Sequence, residues 1–154
     1  MEKEIWKDVP QYEGRYQASN LGRVRSLDRE VRNSRGSGTR LRRGGVIKPR
    51  ICKRGYHRVN LYKNGKMSTE QNHQLVAMSF LGHVKNGMKL VVDHIDNDKS
   101  NNALNNIQII TQRENVSKDR KGTSKYTGVS WNKLRGLWRA QIRGEVKLVV
   151  LGDF

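Results

Sequence analysis

The chain has 154 residues, only 34% of them hydrophobic, and its 31 Lys and Arg against 14 Asp and Glu give a formal charge of +17. That balance excludes one large apolar core. It points to small units laid along a polyanion, with nucleic acid the default partner. A single cysteine, Cys52, excludes an internal disulfide and a Cys-based zinc cluster. The sequence opens without a signal-peptide hydrophobic region, and no apolar run approaches membrane-spanning length, so the expected compartment is the cytoplasm of whatever cell makes it.

Residues 1–27 read as short strands and turns. Trp6, Val9, Tyr12 and Tyr16 are the apolar anchors, and Glu13-Gly14 and Asn20-Leu21-Gly22 are the turns. Residues 28–50 change character: Arg29, Arg32, Arg35, Arg40, Arg42, Arg43 and Arg50 are spread among Gly, Ser and Thr. Gly36-Ser37-Gly38 and Gly44-Gly45 predict a flexible segment, read either as a solvated loop or as a phosphate-tracking arm. Residues 51–70 predict a β-hairpin turning at Lys63-Asn64-Gly65-Lys66, with Val59 and Leu61 inward. Tyr56, Arg58, Asn60 and Tyr62 then share the other face, where Arg and Asn can read bases in a major groove.

Residues 71–82 predict a helix ended by Gly82, with Leu75, Val76, Met78, Phe80 and Leu81 as its apolar positions and His73 at its start. His73 is read as structural rather than catalytic. Residues 90–110 predict strand, turn, strand, running from Leu90-Val91-Val92 into Asp93-His94 and returning through Ile107–Ile110. A helix over 111–120 follows, with Thr111 as N-cap and Glu114 completing a capping box, which places Asn115 in its first turns. Residues 117–125 read as a basic linker. Residues 126–154 predict three strands, carrying Trp131 and Trp138 as core residues.

The stretch from Val92 to Asn115 carries the chemistry. Hydrolysis of a phosphodiester needs an activated water and relief of charge on the leaving oxygen. A histidine can take the proton, and one divalent cation held by a carboxylate and an amide oxygen can bind the phosphate. Asp93, His94 and Asn115 supply that set if the two strands and the helix pack face to face. Asp96 and Asp98 could also bind metal, but an Asp/Asn-rich loop uses such residues as turn chemistry, which is the preferred reading.

At these residues the chain resembles the HNH endonucleases of the phage and intron-encoded homing type. The matching positions are His73-Gln74-Leu75-Val76-Ala77, Val92-Asp93-His94, Asn101-Asn102, Asn105-Asn106-Ile107 and Thr111-Gln112-Arg113-Glu114-Asn115. The resemblance implies a β-β-α-metal fold, His94 as general base, Asp93 and Asn115 as ligands of one Mg²⁺ or Mn²⁺ ion, and Asn106 bracing the hairpin that presents His94. The third position of the family name is Asn here, whose amide oxygen can ligate Mg²⁺. Trp6-Lys7-Asp8-Val9-Pro10, Tyr12-Glu13-Gly14, Tyr16–Asn20 and Leu21-Gly22-Arg23-Val24 resemble the nuclease-associated modular motif found ahead of such units. Tyr126, Gly128, Val129, Trp131, Trp138, Ala140, Ile142 and Leu151-Gly152 resemble the sheet of the plant ethylene-response-factor DNA-binding domain. The sequence ends at Phe154, where that family's packing helix would begin, so a truncated or incomplete module is expected.

The expected architecture is α+β: a β-β-α-metal nuclease core flanked by small antiparallel DNA-binding modules. Its expected divisions are a β-rich motif with an Arg-rich arm over 1–50, the nuclease over 51–118, a linker over 119–125 and a sheet over 126–154. The expected activity is metal-dependent cleavage of double-stranded DNA by a monomer, which with one active site nicks. Arg23, Arg25, Arg40, Arg42, Arg43, Arg58, Asn60, Arg139 and Arg143 are the expected DNA contacts. Two rivals stand beside it: a non-catalytic DNA-binding regulator on the same fold, and a basic RNA-binding protein.

Overall fold

The computed structural model describes residues 3–33, 36–87, 89–118, 124, 126, 128–143 and 148–154. Arg35, most of the linker expected over 119–125, and the side chain of Arg143 lie outside the described set. Two compact units are present, Met1–Gln112 and Arg113–Phe154.

The first unit opens with β1 (Trp6–Asp8), β2 (Tyr16–Ser19) and β3 (Val24–Ser26). These pair antiparallel in sequence order. The predicted turns separate them. The segment expected to be flexible is instead largely paired. A hairpin of β4 (Arg29–Arg32) and β5 (Thr39–Arg42) occupies it, and β6 (Gly45–Val46) adds to β3 as a fourth strand. The reason lies in two local features. Gly36 and Gly38 take positive φ at the hairpin turn, where glycine carries no steric cost. At the other end, Asp28 accepts from the Gly44 amide at 2.7 Å and from Arg43 at 2.8 Å, which closes the hairpin base. Gly44 also lies against the chain at Ser26 and Leu27, where a Cβ would come within 2.3 Å of the Ser26 carbonyl oxygen.

Next, β7 (Arg50–Ile51), β8 (His57–Lys63) and β9 (Lys66–Gln71) form a second antiparallel sheet. Its tight turn has positive φ at both Asn64 and Gly65, as the Asn-Gly pair predicts for a hairpin of this length. Val59 and Leu61 are buried, so the predicted inward face is the observed one. The strand leads directly into α1 (Asn72–Phe80). Leu75, Val76 and Ala77 are buried on this helix, while Leu81 falls just beyond it and is exposed. The helix stops where Gly82 enters the left-handed region and the His83 amide donates back to the Ala77 carbonyl.

One core joins these pieces: Val9, Tyr16, Ala18 and Val24 from the N-terminal sheet pack with Val59, Leu61, Leu75 and Val76. Complete burial of Leu61 and Leu75 stabilises the unit by about 1.5–3 kcal/mol each. The Tyr16 hydroxyl sits in that seam and accepts from the Tyr62 amide at 3.0 Å, tying β2 to the edge of β8. The unit ends with an antiparallel pair, β10 (Leu90–His94) and β11 (Ile107–Thr111), in register from Leu90↔Thr111 to His94↔Ile107.

In the second unit, α2 (Gln112–Ser117) begins directly after β11 and holds Asn115. Beyond it, β12 (Val129–Asn132), β13 (Leu137–Arg143) and β14 (Leu148–Asp153) form the predicted three-stranded antiparallel sheet. Trp131 and Trp138 face each other across it in an edge-on pair, centroids 5.3 Å apart. Contrary to expectation, Trp131 is not a core residue: it is 41% exposed. Three narrow strands give its large ring too little cover.

Candidate active site

Seven of the twelve residues between β10 and β11 are Asp or Asn, and their side chains hold the loop together. Asn106, in a short 3₁₀ turn over Leu104–Asn106, is buried at its centre. Its side-chain amide donates to Asp96 Oδ1 and to the Asn101 carbonyl, both at 2.8 Å, and its Oδ1 accepts from the Asp96 amide at 3.1 Å. Asp96 also accepts from Asn101 Nδ2 at 2.8 Å and from the Asp98 amide at 2.8 Å. Donation from Asn101 and Asn106 holds the Asp96 carboxyl below its ordinary range. Asp98 accepts from the Ser100 amide and hydroxyl, and those bonds lower it in the same way. The two aspartates are therefore engaged as turn chemistry, the preferred reading of the sequence.

His94 ends β10 and is buried at the foot of this loop, and Asp93 precedes it on the opposite face of the strand, half-buried. Gln108, opposite Asp93 in the register, donates to Asp93 Oδ2 at 2.8 Å and fixes the carboxylate. The imidazole of His94 is packed on two aromatic rings: the His73 ring edge-on with centroids 4.7 Å apart, and Tyr56 at 6.1 Å. Tyr56 also meets His73 at 5.3 Å, and the Lys99 ammonium lies over the Tyr56 ring at 5.1 Å. The far side of His94 meets Asn102, with Nε2 3.2 Å from Oδ1.

His73 is 3% exposed in the first turn of α1. Burial, reinforced by the neighbouring His94, pushes its pKa down to about 3. It is a neutral ring wall at ordinary pH, in keeping with a structural role.

Two family models match the chain. One, the NUMOD4 motif, covers residues 4–62, and the other, HNH endonuclease, covers residues 70–117, the segment that contains this loop and both of its strands. The chain carries an HNH endonuclease module.

Among its relatives, the DNA endonuclease I-HmuI of Bacillus phage SP01 is 42% identical over 111 residues, covering 72% of this chain and 55% of that protein. An uncharacterized HNH endonuclease of Acanthamoeba polyphaga mimivirus is 32% identical over 119 residues, covering 73% of this chain and 25% of the relative. In the solved structure described as DNA binding and cleavage by the HNH homing endonuclease I-HmuI, one chain superposes with a TM-score of 0.57 at 41% identity. That match covers 74% of this chain and 56% of the other. This chain thus spans about half the length of I-HmuI. Neither family model reaches the C-terminal sheet, and the resemblance to the ethylene-response-factor sheet finds no support among these matches.

HNH nucleases in general depend on a divalent metal ion. The donor set of the HNH module suits a hard cation, which prefers oxygen. Asp93 supplies an oriented carboxylate beside His94, and among the described residues no cluster of three or more His, Cys, Asp or Glu encloses an ion. A cation completed by amide, phosphate and water oxygens fits such a set.

Among the described residues, the expected DNA contacts differ in state. Arg40 and Arg42 project from β5 and are exposed. Arg43 is paired with Asp28, Arg23 with Glu4, and Arg139 with Asp153, the last at 2.8 and 3.2 Å. Arg25 is held by Gln17 at 2.6 and 2.9 Å and lies 4.4 Å over the Trp6 ring. On the outer face of β8, Asn60 Oδ1 accepts from the Thr69 hydroxyl at 2.9 Å, and the Arg58 Nε is buried with no hydrogen-bond partner among the described residues.

Three residues around His94 escape a reading of the sequence: Tyr56, His57 and Asn102. Tyr56 lies before β8 rather than in the row with Arg58 and Asn60. His57 had a legible signal, since it alternates with Val59 and Leu61 and so shares the inward face. Asn102 falls in the Asn101-Asn102 pair of the HNH resemblance, but nothing there distinguishes its role from that of the other asparagines in the loop.

Proposed function

We propose that the protein is a metal-dependent DNA endonuclease of the HNH homing type, which hydrolyses one strand of duplex DNA as a monomer. The observation that carries this reading is the Asp93-His94 pair at the end of β10, held over the Asn106-braced loop inside the segment that matches the HNH endonuclease model. Support for DNA as the substrate comes from the charge of +17 and from the similarity to I-HmuI, a DNA endonuclease.

In this mechanism His94 takes the proton of the attacking water as the P–O bond to the 3′ oxygen breaks. The buried site and its neighbouring rings keep the imidazole in place, and the Asn106 brace keeps the loop from sagging away from it. Asp93, presented by β10, would hold the cation, and the second ligand role, that of Asn115, rests on the family resemblance alone. When bound, Mg²⁺ or Mn²⁺ supplies positive charge to the scissile phosphate and to the departing oxygen. The exposed Arg40 and Arg42, with Arg58 and Asn60, bear on the DNA.

Strand-resolved cleavage of candidate duplexes with Mg²⁺, against the same reaction in EDTA, tests the reading. The expected outcome is metal-dependent nicking that His94→Ala reduces by about 10²–10⁴ while DNA binding persists. Tight DNA binding with no cleavage under any divalent ion would make the protein a regulator. Preference for structured RNA over duplex DNA at fixed salt would make it an RNA-binding protein.

A further inference from the structure

Asn102 has a fixed amide orientation, and that orientation dictates the state of His94. Its Nδ2 lies 2.8 Å from the Ser100 carbonyl oxygen. A carbonyl only accepts, so the atom facing it must be the amide nitrogen. The second hydrogen of the same nitrogen is directed to His57 Nδ1 at 3.3 Å, which therefore accepts. The opposite end of the amide, Oδ1, must then face His94 Nε2 at 3.2 Å. An amide oxygen has no proton to give, so Nε2 is the donor. In neutral His94 the proton thus resides on Nε2, and Nδ1 carries the lone pair.

The backbone of Asn102 is held as firmly as its side chain. Gly22, at φ +81°, lies so close that a Cβ there would come within 2.6 Å of the Asn102 carbonyl carbon. The same N-terminal turn accepts from the Leu104 amide at 2.8 Å through the Asn20 carbonyl and from Asn72 Nδ2 at 3.2 Å through the Gly22 carbonyl. Asn102 itself is 5% exposed. A buried amide with every donor and acceptor directed, on a wedged backbone, has one way to stand.

We propose that Asn102 is a positioning residue that locks His94 in the Nε2–H form and leaves Nδ1 as the nitrogen that receives the proton of water. The inference rests on His94 being the general base. A base in the wrong tautomer presents a hydrogen where a lone pair is required, and a ring free to turn loses its alignment with the attacking water.

The experiment uses the full chain without metal, ¹⁵N-labelled, at a pH well above the imidazole range. Long-range ¹H–¹⁵N spectra report which ring nitrogen of each histidine is protonated, with His94 assigned from the spectrum of His94→Gln. The wild type should show His94 as a single Nε2–H form, and Asn102→Ala should show a mixture of both. Asn102→Asp keeps an acceptor towards His94 but loses the donors to Ser100 and His57, and should retain the Nε2–H form. In single-turnover cleavage, Asn102→Ala should slow the reaction roughly ten- to hundredfold with DNA affinity unchanged, and Asn102→Asp should recover most of that loss. A His94 that stays wholly Nε2–H in Asn102→Ala, or is Nδ1–H in the wild type, overturns the proposal. If Asn102→Ala unfolds, the wild-type tautomer and the Asn102→Asp spectrum still decide it. Wild-type cleavage rates in His94→Ala would instead remove the general base itself, a separate failure.

Discussion

Asp93 and His94 are consecutive on one strand, so they face opposite sides of the β10–β11 ribbon, and the proposed mechanism gives them different work. Their replacements should fail differently. Cleavage by His94→Ala should not recover with added metal, because the lost function is proton transfer. Asp93→Ala should lose metal affinity, and raised Mg²⁺ or Mn²⁺ should restore part of its rate. Metal titration of the cleavage rate for both variants checks this, and the opposite pattern would reverse the assigned roles. His73 makes a separate prediction about pH. Its folded pKa of about 3 lies below the ordinary value of 6.5, so between these values the unfolded chain binds more protons than the folded one. Its contribution to stability is complete above about pH 6.5 and is lost as pH falls towards 3. His73→Phe, which keeps a ring against His94 but has no proton to bind, should shift acid unfolding to lower pH, as followed by circular dichroism. An unchanged acid midpoint would show that His73 does not govern it.

At the scale of elements, Leu61 of β8 and Leu75 of α1 bind the N-terminal four-stranded sheet and the β7–β8–β9 sheet into one core. Truncation of either to Ala should cost about 2–5 kcal/mol, measured by urea unfolding. A loss well under 1 kcal/mol would mean that the core tolerates collapse at that site. These elements were legible because their signals are local. Strand alternation gave the inward face of β8, Asn64-Gly65 gave the hairpin turn, and Asp93-His94 together with Asn106 pointed to the HNH family whose model matches this segment. What stayed hidden depends on contacts across the fold. Nothing near Asn102 in sequence announces that Gly22 will wedge it, about eighty positions away. The Arg-rich segment was misread for a related reason: glycines that suggest flexibility in isolation are the residues a hairpin turn and a close chain crossing require. Trp131 was misplaced because an aromatic residue on a strand is assigned to a core only if there is another layer to form one.

For the molecule as a whole, charge dominates association. Each phosphate neutralised on duplex DNA contributes a slope of about −0.9 in log K against log salt, so engagement of several arginines and lysines should give a slope steeper than about −3. A slope near −1 would confine contact to one or two residues. Arg40 and Arg42, exposed together on β5, should weaken cognate and random duplexes equally when changed to Ala, since phosphate contacts position without specifying. Selective loss on cognate DNA would make one of them a base reader.

The close approach of Gly22 to Asn102 also bears on how such proteins can be re-targeted. Motifs of the N-terminal kind look like detachable cassettes, to be exchanged between nucleases for new addresses. In this chain the cassette packs, through Gly22, against the backbone of Asn102 beside His94. A chimera joined at residue 50 would bring a foreign turn against the loop that carries Asn102, and any side chain at the position of Gly22 would push that loop off His94. Grafts that preserve Asn20-Leu21-Gly22 with its host loop, and vary only the strands outside it, keep address and blade in one piece.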